Sequence, residues 1–135
     1  MVDVGDKPPM KREAIAEGFL IAAPETIERL FKGDLPKGEA LGVARIAGIS
    51  AAKRCDELIP LCHTLPLDAV NVEFERAART KVRIMATARI TSKTGVEMEA
   101  LTAVCVAALT LYDMTKAIDK SMRIEGVRLV SKTKR

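Results

Sequence analysis

The sequence predicts an α+β fold in which helices cover one face of an antiparallel sheet. Two alternating apolar runs, at 67–76 and 81–91, are separated by four residues that suit a β-hairpin loop. An uncharged span at 100–112 suits a buried helix and is too short for a membrane helix. The chain has 135 residues, of which 48% are hydrophobic, so it fits one domain with a sizeable core.

The first third of the chain predicts one strand and two helices. Glycine and two prolines within residues 1–10 indicate a flexible N-terminal segment ahead of a single domain at 11–135. A weakly alternating strand covers 12–22, and a short helix follows from Pro24 to the glycine at position 33. The second helix is expected from 39 to 58, because the proline at position 60 forces a stop just beyond it.

The remaining elements are the hairpin strands, a long helix at 96–119 and a last strand at 122–132. Without the short first helix, the order is β-α-β-β-α-β, which is the ferredoxin-like plan with two helices on one face of the sheet. The other face of such a sheet is open. In a chain this apolar, we expect that face to meet a partner subunit.

The charge and composition of the chain are weak evidence for anionic or nucleic-acid partners. The net charge of +4 alone says little about anionic partners. A basic ferredoxin-like sheet also fits a nucleic-acid-binding module, but such modules stack bases on sheet aromatics. Only Phe74 lies in a strand predicted to be central, so this alternative is disfavoured, as is a purely scaffolding subunit.

Cysteine and histidine usage predicts reduced thiols and no metal site. The three cysteines form no C-x-x-C pair, and an odd count without a signal peptide is typical of a cytoplasmic protein. His63 is the only histidine, and no metal-ligand spacing accompanies it.

Several basic groups are candidates for binding phosphate. Arg45 and Lys53 lie eight residues apart on the second helix, about 12 Å along its axis and within about 80° of each other. With Lys37 they can form a cationic wall, although a solvated basic face explains them equally. His63 lies in the segment 59–66, which has a proline near each end. The fixed backbone either positions a functional imidazole or holds a structural one.

The long helix carries titratable groups at both ends. Glu97 and Glu99 at its start complement the helix dipole and point about 160° apart. Asp113 and Lys116 share a face near its end. They form either an ordinary surface ion pair or a catalytic pair in which the aspartate holds the lysine charged or receives a proton. Glu99 and Asp113 are about 21 Å apart along the axis, so a site using both needs an elongated ligand or two subunits.

Seven stretches, spread over nearly the whole chain, carry a resemblance to a known family: M-V-D-V (1–4), K-G-E (37–39), A-R-I-A-G-I (44–49), A-A-K-R (51–54), L-I-P-L-C-H (58–63), K-T-G-V-E-M-E-A-L-T-A (93–103) and A-A-L-T-L-Y-D-M-T-K-A (107–117). They resemble the molybdenum cofactor biosynthesis protein C family, the cyclic pyranopterin monophosphate synthases. The resemblance implies that residues 11–135 form one catalytic domain of a cytoplasmic lyase. Its substrate would be (8S)-3′,8-cyclo-7,8-dihydroguanosine 5′-triphosphate, and its products cyclic pyranopterin monophosphate and diphosphate.

The resemblance also implies a homohexamer, a trimer of dimers with active sites at subunit interfaces, and no nucleic-acid or membrane partner. Its motifs give Asp113, Lys116 and Lys37 as catalytic residues. The residues expected to bind substrate are Leu61, Cys62, His63, Met98, Glu99, Glu97, Lys53, Arg45 and Arg12. We expect Lys37, Arg45, Lys53 and His63 to handle the triphosphate. No resident cofactor is required, and whether Mg²⁺ accompanies the triphosphate is left open.

Overall fold

The computed structural model describes residues 1–135 and contains one four-stranded sheet with helices on one face. The elements in chain order are β1 (Met10–Ile21), α1 (Pro24–Lys32), α2 (Ala40–Lys53), α3 (Cys55–Leu58), β2 (Ala69–Ala78), β3 (Lys81–Ser92), α4 (Glu97–Thr115) and β4 (Arg123–Lys134). All strand pairs are antiparallel, in the order β2-β3-β1-β4. The predicted α+β, ferredoxin-like fold is confirmed.

The core lies between the sheet and the two long helices, and small residues bring the layers close together. Alternate residues of β1 and β3 are buried on the helix side, as the pleat of a strand requires. A Cβ at Gly18 would lie 2.8 Å from Val104 of α4, and one at Gly48 would lie 2.9 Å from the carbonyl of Ala103. Through small residues such as Gly48, α2 therefore packs directly on α4. Of all helices, only α4 has the length and composition of a membrane span, and over half of it is buried within the protein.

Two helix boundaries differ from the sequence prediction. The second helix was predicted to continue to residue 58, but α2 ends at Lys53 and the short α3 follows. At Arg54 the backbone leaves the helical region (φ −113°, ψ 21°), and the change of direction buries Cys55 beside Thr102 of α4. The break lets the chain turn after α2, so that Cys55 of α3 also packs against α4.

The long helix was predicted to reach Asp119, but it ends at Thr115. Asp119 instead holds the start of α1, because its carboxylate accepts hydrogen bonds from the Ala23 N–H (3.0 Å) and the Thr26 hydroxyl (2.9 Å). It also accepts from the Ser121 N–H (2.8 Å) and the Ser121 hydroxyl (2.6 Å). Although burial opposes ionisation, these bonds lower the pKa of Asp119 to about 2.

The hairpin and the strand order correct the position of Phe74. β2 continues to Ala78 with an irregular register after Arg76, so the connecting loop is shorter than the predicted four residues. β2 is an edge strand, so Phe74 is not in a central strand. It packs against the core, with the Arg45 guanidinium 5.6 Å from its ring centroid. It is therefore not available on the open face for stacking a base.

The open face of the sheet carries paired charges. Glu17 is 5% exposed and accepts hydrogen bonds from Arg83 (2.7 Å) and Arg128 (2.6 Å). Burial opposes ionisation of Glu17, but these two bonds lower its pKa overall. Most large exposed apolar side chains lie on or beside the helices instead, at Val43, Ile46, Leu58, Leu61, Met98 and Leu109. The expected use of the open face as a subunit contact stays a prediction.

Candidate active site

A charged cluster lies at the C-terminal end of α4 and consists of Lys37, Asp113 and Lys116, called here the Asp113 cluster. Lys37 Nζ donates to Asp113 Oδ2 at 2.9 Å, and Lys116 Nζ lies 2.9 Å from Asp113 Oδ1. The three side chains are about half exposed, at 49%, 53% and 55% for Lys37, Asp113 and Lys116. Each carboxylate oxygen therefore has its own ammonium partner on an accessible surface.

Local backbone structure sets these three groups in place. Asp113 lies in the last turn of α4, and Lys116 is its C-cap in a helical conformation three residues on, so the two side chains share one face. Lys37 lies in a tight turn closed by the Gly38 N–H donating to the Leu35 carbonyl (2.9 Å). Gly38 has φ 107°, a conformation that favours glycine. The next residue, Glu39, caps α2 by accepting from two of its backbone N–H groups, which fixes where the turn ends.

The two lysines determine the protonation state of the Asp113 cluster. Their hydrogen bonds and charges lower the pKa of Asp113 to about 2. The Asp113 carboxylate in turn raises the pKa of Lys116. At neutral pH the cluster therefore has an ionised carboxylate between two ammonium groups. Such a group can bind phosphate through its lysines and can supply a proton from an ammonium.

A second cluster lies at the other end of α4 and consists of Cys55, Cys62 and Glu99, called here the Glu99 cluster. The Cys62 thiol donates to Glu99 Oε2 at 3.7 Å, and the two Sγ atoms are 3.9 Å apart. Cys55 Sγ also lies 3.5 Å from the Thr102 hydroxyl. The three residues come from α4, from α3 and from the loop that follows α3, and their ligand atoms all lie within 4.8 Å of one another.

Burial dominates the electrostatics of the Glu99 cluster. Glu99 is 2% exposed and has no lysine, arginine or histidine within ion-pair distance. Desolvation raises its pKa, and hydrogen bonds from its own backbone N–H and from the two thiols offset this only partly. Desolvation and the nearby Glu99 carboxylate raise the pKa of Cys62 to about 12. The spacing along the sequence does not reveal this cluster, because the break at Arg54 is what brings Cys55 to Glu99.

The loop after α3, beside the Glu99 cluster, also contains Leu61 and His63 of the L-C-H segment. Leu61 is 74% exposed and Met98 is 39% exposed, so both apolar side chains are accessible. His63 Nε2 donates to the Val2 carbonyl at 2.7 Å, and Lys93 Nζ donates to the Gly5 carbonyl at 3.2 Å. The N-terminal segment therefore lies against this loop, while its predicted flexibility stays a prediction.

Arg12 and Glu97 line one cleft of about 200 Å³ where β1, β4 and the start of α4 meet. A terminal nitrogen of Arg12 donates to the Lys93 carbonyl at 3.2 Å, and its buried Nε has no partner. Glu97 Oε1 lies 3.6 Å from Lys132 Nζ. These two predicted substrate residues are therefore neighbours at the N-terminal end of α4.

The predicted cationic wall does not form within one chain. Arg45 Nε donates to the Val72 carbonyl at 2.9 Å. Lys53 borders a separate hollow of about 310 Å³. Lys37 precedes α2 and Lys53 ends it, so about 20 Å of helix separates them. Lys37 is instead part of the Asp113 cluster.

The chain matches known proteins over its full length. A sequence profile described as the MoaC family covers residues 1–135. A cyclic pyranopterin monophosphate synthase of Roseiflexus castenholzii is 59% identical over 134 residues, which cover 98% of this chain and 85% of the relative. Enzymes of the same name from Methylobacterium sp. (strain 4-46) and Chloroflexus aggregans are 57% and 56% identical, over 98% of this chain and over 84% and 81% of the relatives.

Proposed function

The chain belongs to the MoaC family, and on that premise we propose that it is a cyclic pyranopterin monophosphate synthase of molybdenum cofactor biosynthesis. It is an enzyme of the lyase class that acts on the GTP-derived cyclic nucleotide triphosphate and releases diphosphate. The observation that supports this function most directly is the Asp113 cluster, because it combines accessible ammonium groups with an ionised carboxylate.

Lys37 and Lys116 are proposed to neutralise the substrate and to donate protons. Cyclic phosphate formation joins a sugar oxygen to the α-phosphorus and breaks the bond to the departing diphosphate. Ammonium groups stabilise the negative charge that develops on the leaving oxygens. Asp113 keeps Lys116 protonated, so Lys116 enters the reaction as a cation that can stabilise the leaving oxygens, and it becomes a better proton donor only when its ion pair with Asp113 is broken.

Asp113 is proposed to hold both lysines in place and to accept a proton during turnover. In the free protein each of its oxygens is bound to an ammonium, so it is a poor base at that stage. When the lysines move to the substrate phosphates, the carboxylate loses the partners that lower its pKa and becomes a better proton acceptor. The two roles of Asp113 thus follow one another.

The complete site is proposed to lie between two chains. α4 is one helix from Glu97 to Thr115, so about 21 Å separates Glu99 from Asp113. Substrate-binding roles are proposed for Leu61, Cys62, His63, Met98, Glu99, Glu97, Lys53, Arg45 and Arg12, none of which belongs to the Asp113 cluster. A symmetric dimer can bring the Asp113 cluster of one chain to these residues of its partner. Exposed apolar residues on the helices, Val43 (49%) and Ile46 (66%) among them, support such burial.

Further aspects of the proposal follow the family resemblance. The assembly is proposed to be a hexamer of three dimers in the cytoplasm. No resident cofactor is needed for the chemistry described, and Mg²⁺ would enter only with the triphosphate, whose oxygens it favours.

The direct test is diphosphate release from the purified cyclic nucleotide triphosphate. The wild-type protein should release one diphosphate for each cyclic pyranopterin monophosphate formed, and GTP itself should give neither product. Diphosphate without the pterin would indicate simple hydrolysis. Absence of both products with the cyclic nucleotide would overturn the proposal.

A further inference from the structure

The Glu99 cluster has an unusual combination of groups for a buried site. A carboxylate that is 2% exposed faces two thiols, one at 3.7 Å from its Oε2 and both within 4.8 Å. No basic side chain forms an ion pair with Glu99. Buried carboxylates are normally paired with a cation, so this site is electrostatically incomplete.

The distances among the three groups match the vertices of a metal tetrahedron. With Zn–S bonds of about 2.3 Å, two thiolates on a tetrahedral zinc ion are about 3.8 Å apart. With a Zn–O bond of about 2.0 Å, a thiolate and a carboxylate oxygen are about 3.5 Å apart. The observed separations are 3.9 Å between Cys55 and Cys62 Sγ and 3.7 Å between Cys62 Sγ and Glu99 Oε2. Small side-chain movements are sufficient to bind the ion.

We infer that Cys55, Cys62 and Glu99 form a binding site for a thiophilic divalent cation of the Zn²⁺ type. Two sulfur ligands and one oxygen ligand select such an ion over Mg²⁺, which takes oxygen ligands only. The fourth coordination position of the ion is free for water or for an atom of a ligand. The Thr102 hydroxyl lies beside the cluster, 3.5 Å from Cys55 Sγ. Binding replaces two S–H bonds with two metal–sulfur bonds, and the two thiol protons pass to the solvent.

The ion would tie three separate segments together. Cys55 is in α3, Cys62 in the following loop and Glu99 in the first turn of α4. Cys62 and Glu99 are also proposed substrate-binding residues. On that premise, which rests on the proposed function, we expect bound ion and substrate to compete and Zn²⁺ to inhibit turnover.

The binding test uses the purified, fully reduced chain in its native assembly and Co²⁺ as a spectroscopic probe without oxygen. We expect one ion per chain, a thiolate-to-cobalt charge-transfer band, loss of that band on adding Zn²⁺, and release of about two protons per ion. Cys55→Ser should weaken binding at least tenfold, since losing even an outer partner of a metal ligand costs about 10–100-fold. Cys105→Ser is the matched control and should bind normally, because this exposed cysteine lies outside the cluster.

The inference is overturned if no thiolate band forms, or if the band is equally strong in Cys55→Ser and Glu99→Gln. Thermal unfolding of each variant without metal distinguishes a lost ligand from a lost fold. A separate assay with Zn²⁺ tests inhibition, which should be removed by a chelator and weakened in Cys55→Ser. If the thiolate band appears but no sample turns over the cyclic nucleotide, the metal site stands and the proposed function fails.

Discussion

The two ends of α4 each hold a carboxylate, and their environments are opposite. Asp113 is 53% exposed and bound to two lysines, which lower its pKa to about 2. Glu99 is 2% exposed and bound to a thiol, and burial raises its pKa. The same chemical group is thus held ionised by its partners at one end of the helix, whereas at the other end burial makes its ionised form less favourable.

Asp119 shows that hydrogen-bond partners, more than burial alone, cause this difference. It is 7% exposed, nearly as buried as Glu99, yet its pKa is about 2 because backbone and hydroxyl donors surround its carboxylate. The Glu99 carboxylate has only its own backbone N–H and two thiols as donors, and these do not outweigh its burial. The cluster around Glu99 is therefore suited to receive a further ligand, whereas Asp119 is already satisfied.

The largest effect is expected at the exposed end. Asp113→Asn removes the charge that holds Lys37 and Lys116 and the group that accepts a proton. We expect a loss of turnover of at least about 100-fold, the range for a general acid–base group. Steady-state diphosphate release measures the loss, and circular dichroism should show an unchanged fold, because the side chain is exposed.

Asp34→Asn is the matched control for this substitution. Asp34 is also an exposed aspartate in an ion pair, with Arg29 at 3.2 Å, but it lies outside both clusters. Its turnover should equal that of the wild type. If Asp113→Asn also turns over normally, the Asp113 cluster is not the catalytic group.

A medium effect on stability is expected at Asp119. Asp119→Ala leaves the donors at Ala23 and Thr26 without their acceptor, and hydrogen bonds to charged groups contribute about 1.5–3 kcal/mol. Urea unfolding at neutral pH should show a loss of that size. Because the folded pKa is below the ordinary value of 3.8, this contribution is present above about pH 4 and disappears as the pH falls through about 2. An unchanged midpoint at neutral pH would contradict the role given to Asp119.

The smallest effect, and one of opposite sign, is expected at Glu99. The folded pKa is above the ordinary value of 4.5, so the folded state binds more protons than the unfolded chain and stability falls as the pH rises past that value. Glu99→Gln removes this penalty. In metal-free protein we expect Glu99→Gln to raise the free energy of unfolding at neutral pH and to change it little near the ordinary carboxyl pKa of 4.5. Equal destabilisation at both pH values would show that Glu99 is stabilising as an ion.

The sequence predicts the sheet, its helices and the residues of the Asp113 cluster, because alternation, helix spacing and family motifs are local features of the chain. It does not predict the break at Arg54, since no proline or glycine marks it and packing of Cys55 against α4 causes it. Nor does it predict that Phe74 lies in an edge strand, or that Lys37 pairs with Asp113 and not with the basic residues of α2. These facts depend on which strands and helices become neighbours in three dimensions.

The central claim is that one active site uses opposite ends of α4 from two chains, and mixed oligomers of two inactive variants test it most directly. Asp113→Asn and His63→Ala should be co-expressed with different tags, and oligomers carrying both tags should be isolated. When the two variants pair at random, about half of the dimers are mixed, and one of the two sites in each mixed dimer has both wild-type residues. About a quarter of all sites are then wild type, so the unselected mixture should recover about 25% of wild-type turnover. Almost every randomly assembled hexamer carries both tags, so the isolated oligomers should stay near that value, far above either variant alone. If they are as inactive as each variant alone, the two ends of α4 do not combine across a subunit interface and the account is wrong.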